Sequence, residues 1–170
     1  MYITSSKIYN LPVASLEANS KVGEVTDLVF SPEDLALIAL EVKTDGFLFS
    51  KKLFLASNDI VDFDRKGIVI KNDAVLVNQS EIIRIKQIAK QKFSIYGQKV
   101  LTKSNKYLGK VFDLLIDSET CTISKLYVAN FLDERIFDIS KVEKITPKAI
   151  ILSNDVIEQT PLAQTEEAVA

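Results

Sequence analysis

The strongest constraint on this chain is that it repeats itself. A shift of 86 residues aligns Asn19–Val42 with Asn105–Val128 and gives eight identities in 24 positions: Asn19/Asn105, Gly23/Gly109, Val25/Val111, Asp27/Asp113, Leu28/Leu114, Glu33/Glu119, Leu40/Leu126 and Val42/Val128. Chance supplies roughly one or two in such a window. A shift of 82 aligns Ile60–Asp73 with Val142–Asp155, sharing Lys66/Lys148, Asn72/Asn154 and Asp73/Asp155. The period is longer than the roughly 20–50 residues of a solenoid repeat, so it implies a duplicated small domain. The boundaries follow: a first domain over 1–78, a linker over 79–92, a second domain over 93–157 and an acidic tail over 158–170.

Each copy reads as short strands. In the first, Glu24–Phe30 and Leu35–Val42 flank the turn Ser31-Pro32-Glu33-Asp34, and a further strand is expected near Ile8–Val13. Asp45-Gly46 is a strong hairpin signal, and Leu53–Ala56, Val61–Phe63 and Ile68–Ile70 follow. The second copy repeats the order with Lys110–Ile116, Ile123–Ala129, Ile136–Ile139, Val142–Ile145 and Ala149–Leu152. Many short strands without a long helical pattern between them predict an all-β chain of two tandem small antiparallel barrels. In the linker, Ser80 suits a helix cap, with Ile82, Ile85 and Ala89 on one face. Ile83 and Ile85 alternating with Arg84 and Lys86 fit a strand as the alternative.

The repeated strings Lys21-Val22-Gly23-Glu24-Val25-Thr26-Asp27-Leu28-Val29-Phe30 and Tyr107-Leu108-Gly109-Lys110-Val111-Phe112-Asp113-Leu114-Leu115-Ile116 resemble the Gly-x-Val-x-Asp signature of the PRC-barrel family. Leu40-Glu41-Val42 and Leu126-Tyr127-Val128 follow at the family's spacing. The resemblance implies a small antiparallel β-barrel, with Gly23, Asp27, Gly109 and Asp113 as its structural motif. The family's settings are the extramembrane part of the H subunit of photosynthetic reaction centres and the C-terminal domain of a ribosome maturation factor that binds a small-subunit ribosomal protein. A protein-binding adaptor is therefore the expected function, with ribosome assembly, through a ribosomal protein or rRNA, as the alternative.

Composition removes most catalytic classes. The 170 residues contain no His, one Cys (Cys121) and five scattered Gly. Without His there is no Ser-His-Asp triad or imidazole ligand, and a lone Cys builds no disulfide framework. The glycines form no phosphate-binding loop. The chain is read as no enzyme, with no cofactor and no metal. Its longest uncharged stretch, Ile8–Leu16, is too short to cross a bilayer and contains Pro12. No basic-then-apolar leader is visible either, so a cytoplasmic setting is expected.

Paired carboxylates would suit acid–base or metal chemistry, yet Asp27 and Asp113 recur once per copy. That favours a fixed local role, accepting backbone N–H bonds inside each barrel. Asp62-x-Asp64-x-Lys66-Gly67 superficially resembles a calcium loop, but Lys66 stands at the fifth position and Asp73 at the twelfth, so a hairpin turn with Gly67 at positive φ is expected. Phe47, Phe49 and Phe54 read as barrel filler, and Cys121 as a small apolar filler.

Charge is uneven: the net is −3 over 1–78, +3 over 79–92, +1 over 93–157 and −3 over 158–170. The basic run Arg84, Lys86, Lys90, Lys92, Lys99 and Lys103 is the candidate partner surface, although the acidic pI of 5.3 argues against DNA. Strict alternation would place Val25, Asp27 and Val29 on one strand face and Leu28 and Phe30 on the other. Val25, Val29, Val111 and Leu115 are the candidates for packing barrel to barrel, or chain to chain as a homodimer.

Overall fold

The computed structural model describes residues 1–44, 50–81, 83, 85–87 and 93–158. The chain is all-β, with fourteen strands among the described residues: β1 (Tyr2–Thr4), β2 (Pro12–Ser15), β3 (Ser20–Phe30), β4 (Leu37–Thr44), β5 (Lys52–Ala56), β6 (Ile60–Phe63), β7 (Ile68–Ile70), β8 (Leu76–Val77), β9 (Lys99–Thr102), β10 (Tyr107–Asp117), β11 (Thr122–Ala129), β12 (Glu134–Asp138), β13 (Val142–Ile145) and β14 (Ala149–Leu152). They form two sheets. The first runs β6-β7-β2-β3-β4-β5-β8, and the second runs β12-β11-β10-β9-β14-β13 with β1 added to β10.

The strand order of the second sheet repeats that of the first. In each, one parallel pair, β2 with β7 and β9 with β14, interrupts otherwise antiparallel ladders. Backbone geometry repeats too. Left-handed conformations recur at Asn19 and Asn105, at Leu35 and Cys121, and at Asn10 and Gly97. A branched or thiol side chain in this region is strained, so its recurrence at Leu35 and Cys121 reflects the same tight turn closing in each half.

Bulges correct the expected alternation. The β3–β4 register slips between Val25 and Asp27, and the β10–β11 register between Val111 and Asp113. Each extra residue reverses which side chains face inward. Val25, Leu28 and Phe30 are therefore buried together, as are Val111, Leu114 and Ile116. Asp27 is exposed and Val29 lies on the outer face.

One core serves both sheets. A single buried cluster joins Phe30, Leu35 and Leu37 of the first half to Ile95, Val111 and Ile123 of the second. The rings of Phe30 and Tyr96 meet edge to face at 6.3 Å across the junction. The Leu37 N–H donates to the Cys121 carbonyl at 3.0 Å, tying the two left-handed turns together. Cys121 is half-buried against the core, as a filler would be.

Two local expectations shift. The strand expected near Ile8–Val13 begins at Pro12, with a turn before it at Ile8–Asn10. The linker helix shows at Ile83 and Ile85–Gln87. Ahead of it, the 3₁₀ turn Gln79–Glu81 is closed by the Glu81 N–H donating to the Asn78 carbonyl, and Glu81 Oε1 accepts from the Asn78 backbone N–H at 3.0 Å. Ile85 packs in a second cluster with Ala39, Phe54 and Val29. The Asp64–Gly67 turn forms around Asp64, which accepts N–H bonds from Lys66 and Gly67. Gly67 does not take positive φ; a Cβ there would lie 2.8 Å from the Pro12 carbonyl. The Asp45-Gly46 hairpin, Phe47, Phe49, Ile82, Ala89 and the acidic tail beyond 158 lie outside the described residues.

Candidate functional site

The repeated motif acts first as architecture. A Cβ on Gly23 would lie 2.5 Å from the Lys43 carbonyl, and one on Gly109 would lie 2.4 Å from the Ala129 carbonyl. Only a residue without a side chain lets the neighbouring strand approach this closely. Four residues later, each Asp sits just past the bulge and turns back on its own strand. Asp27 Oδ1 accepts the Leu28 N–H at 2.8 Å, and Asp113 Oδ1 accepts the Leu114 N–H at 2.8 Å. The bulge frees a backbone donor and the carboxylate takes it.

The two carboxylates differ in what else they hold. The Tyr9 hydroxyl donates to Asp27 at 3.4 Å. Asp113 instead receives the whole turn that follows β1: the Ser5 hydroxyl at 2.5 Å, the Ser6 hydroxyl at 2.6 Å and the Ser6 N–H at 3.1 Å. Burial pushes the Asp113 carboxyl up, but these hydroxyl and N–H donors outweigh it and hold it below the ordinary carboxylate value. The expected local role is thus extended: Asp113 anchors a segment far away in the chain.

Tyr9 and Tyr96 lie between the two motifs. Both phenols are pushed above their ordinary value, chiefly by burial. The Tyr96 hydroxyl is buried; the neighbouring Ser5 and Tyr9 hydroxyls pull its phenol down, while the Asp113 and Asp27 charges push it up. Beside Asp27 opens a cleft of about 220 Å³, walled by Val29, Phe30, Phe54, Ile85, Ile95 and Tyr96.

A second feature stands at the far end of the β10–β11 hairpin. Between β11 and β12 the turn 130–133 presents Phe131 and Leu132 at 107% and 94% exposure. The turn is strongly pinned. Asn130 Oδ1 accepts the N–H groups of Leu132 at 2.7 Å and Asp133 at 3.0 Å, and Asn130 Nδ2 donates to the Leu108 carbonyl at 3.0 Å. Arg135 donates to Asp133 at 2.6 Å. Two large apolar side chains thus face water on a braced turn.

The basic run is spread over separate elements. Lys86 is exposed on the linker helix, Lys99 lies on β9, and Lys103 pairs with Glu143 at 3.0 Å. Arg84, Lys90 and Lys92 lie outside the described residues. Of the four packing candidates, Val25 and Val111 are in the shared core, Val29 packs against the Ile85 cluster, and Leu115 pairs with Thr4. Sequence reasoning missed Ser5, Ser6, Tyr9, Tyr96, Phe131 and Leu132. The recurring Ile-Tyr of Ile8-Tyr9 and Ile95-Tyr96, at a shift of 87, was the available signal for the tyrosines.

The glycine crossing, the bulge carboxylate and the sheet order together describe a small β-barrel built on Gly-x-Val-x-Asp. Residues 1–81 match the PRC-barrel domain family. The PRC-barrel domain thus spans the first sheet and also includes β1, the strand that pairs with the second sheet. No curated protein matches the chain. Among the described residues no helix is long and apolar enough to cross a membrane.

Proposed function

We propose that this chain is a non-enzymatic protein-binding module of two PRC-barrel units, the second formed by residues 93–157, and that it docks through the Phe131–Leu132 tip. The observation that carries the reading is the tip itself. Water covers two large apolar side chains that a partner's pocket would dry, and burying each is worth roughly 1.5–3 kcal/mol. Holding the turn rigid beforehand lowers the ordering cost of docking. The repeated sheet order and recurrent left-handed turns support a duplicated origin for the second unit. Asp27 and Asp113 support the non-enzymatic reading, because both are engaged in backbone and hydroxyl bonds that hold the fold.

The test is affinity capture with the native chain and with Phe131→Ser/Leu132→Ser. A partner retained by the native chain and depleted at least tenfold by the double variant, at unchanged circular dichroism, is the expected result. Equal capture by both removes the tip from the function. Salt-sensitive co-sedimentation with small ribosomal subunits, lost when Lys86, Lys99 and Lys103 are neutralised but kept by the tip variant, would replace this reading with ribosome assembly.

A further inference from the structure

The N-terminal segment occupies the second sheet as a peptide ligand would. β1 pairs antiparallel with β10 in the register Tyr2↔Asp117, Ile3↔Ile116 and Thr4↔Leu115. Because β11 already takes one edge of β10 over Leu115–Asp117, β1 must lie on the other, the edge that β9 uses further along. This is strand addition to an exposed edge. It is made by a segment that belongs, by family match, to the opposite domain.

The edge also reads side chains. Ile3 is 2% exposed, plugged into the shared core. Two residues further on, the Ser5 and Ser6 hydroxyls both donate to Asp113, and Ser5 Oγ accepts the Leu114 N–H at 3.1 Å. Lifting the segment away leaves a half-buried carboxylate with fewer donors and an apolar socket of one isoleucine. Both call for a replacement of the same chemistry. The segment is a three-residue strand at a sheet edge, flanked on one side by the Met1 ammonium on Asp117 and Glu119 and the Met1 carbonyl accepting the Ser118 N–H, and on the other by a single 3₁₀ turn over Ser5–Lys7. Segments of this kind open locally at far lower cost than the whole fold.

We propose that the Leu115–Asp117 edge of β10 with Asp113 is a recognition site for an extended peptide, closed in cis by residues 2–6. A partner segment of pattern apolar–polar–Ser–Ser takes the site by displacing them. The apolar residue fills the Ile3 socket, and the serines donate to Asp113. The site lies at the Asp117–Thr122 end of the β10–β11 hairpin, whereas the Phe131–Leu132 tip follows Ala129 at the other end, so it stands or falls independently of the tip.

The probe is a peptide of the chain's own first seven residues, added to the isotopically labelled full-length protein and followed by amide resonances. Excess peptide should move the Tyr2–Thr4 signals to positions of unpaired chain while Leu115–Asp117 remain hydrogen-bonded. A peptide carrying Ser5→Ala and Ser6→Ala should need at least tenfold more to do the same, and a full-length Ile3→Ala protein at least tenfold less native peptide. Native-state hydrogen exchange needs no variant: Tyr2–Thr4 amides should exchange through local opening at rates insensitive to denaturant, ahead of the β10–β11 ladder. Tyr2–Thr4 signals unmoved by excess peptide, equal potency of the alanine peptide, or exchange of these amides only by global unfolding would each overturn the proposal.

Discussion

Asp27 and Asp113 are identical in motif and unequal in consequence. Asp113→Ala removes the acceptor for the Ser5 and Ser6 hydroxyls and for two backbone N–H groups. With charge-assisted bonds worth about 1.5–3 kcal/mol net, a loss of about 2–3 kcal/mol is expected in denaturant unfolding. Asp27→Ala, which loses its Leu28 bond and the long Tyr9 bond, should cost about 1 kcal/mol or less by the same scale. The acid limb of stability follows from the depressed Asp113 carboxyl. Its contribution is present above the ordinary carboxylate pKa and is lost as pH falls through the lower folded value. Melting temperature should therefore fall less steeply below about pH 4 in Asp113→Asn than in the native protein. Gly109 is the other residue whose role is set by one contact. It adopts φ +144°, and a Cβ there would lie 2.4 Å from the Ala129 carbonyl, so Gly109→Ala should destabilise by about 1–3 kcal/mol or more.

At the scale of elements, β1 decides most. It is three residues long, yet it covers an edge of β10 and inserts Ile3 into the shared core. Ile3→Ala should cost about 2–4 kcal/mol, read from the denaturant midpoint at unchanged slope. Nothing local foretells this partnership. Tyr-Ile-Thr reads as strand material, but strand pairing across more than 100 positions is set by which edge remains open after the hairpins close. The bulges were equally hard to see. Period-2 reasoning put Val25 with Val29, whereas one extra residue at Thr26 turned Val25, Leu28 and Phe30 to the same side. Gly-x-Val-x-Asp carries that bulge in its spacing, legible only once the ladder on β4 is known.

The whole molecule behaves as one body because its two sheets share one core. Phe30 against Tyr96, Leu37 bonded to Cys121 and β1 on β10 all cross the junction. Each half alone would expose these groups, and small single domains are marginal to begin with. Calorimetry should show one transition with van't Hoff and calorimetric enthalpies in agreement. Two resolved transitions, one per half, would contradict a shared core. The full chain lacking only residues 1–7 should expose the β10 edge and associate, measured by light scattering.

The sequence by itself determined the all-β class, the duplicated pattern of strands, and the glycines and aspartates that the pattern turns on. These follow from local rules: alternation, turn chemistry and the steric demands of a close strand crossing, all readable within a few residues. The tertiary structure alone decided that β1 crosses to the other sheet, that Asp113 holds Ser5 and Ser6 while Asp27 does not, and that Phe131 and Leu132 face water. Each depends on which edges, donors and apolar surfaces remain unsatisfied after the local structure has formed, a property of the assembled fold that no single stretch of chain contains.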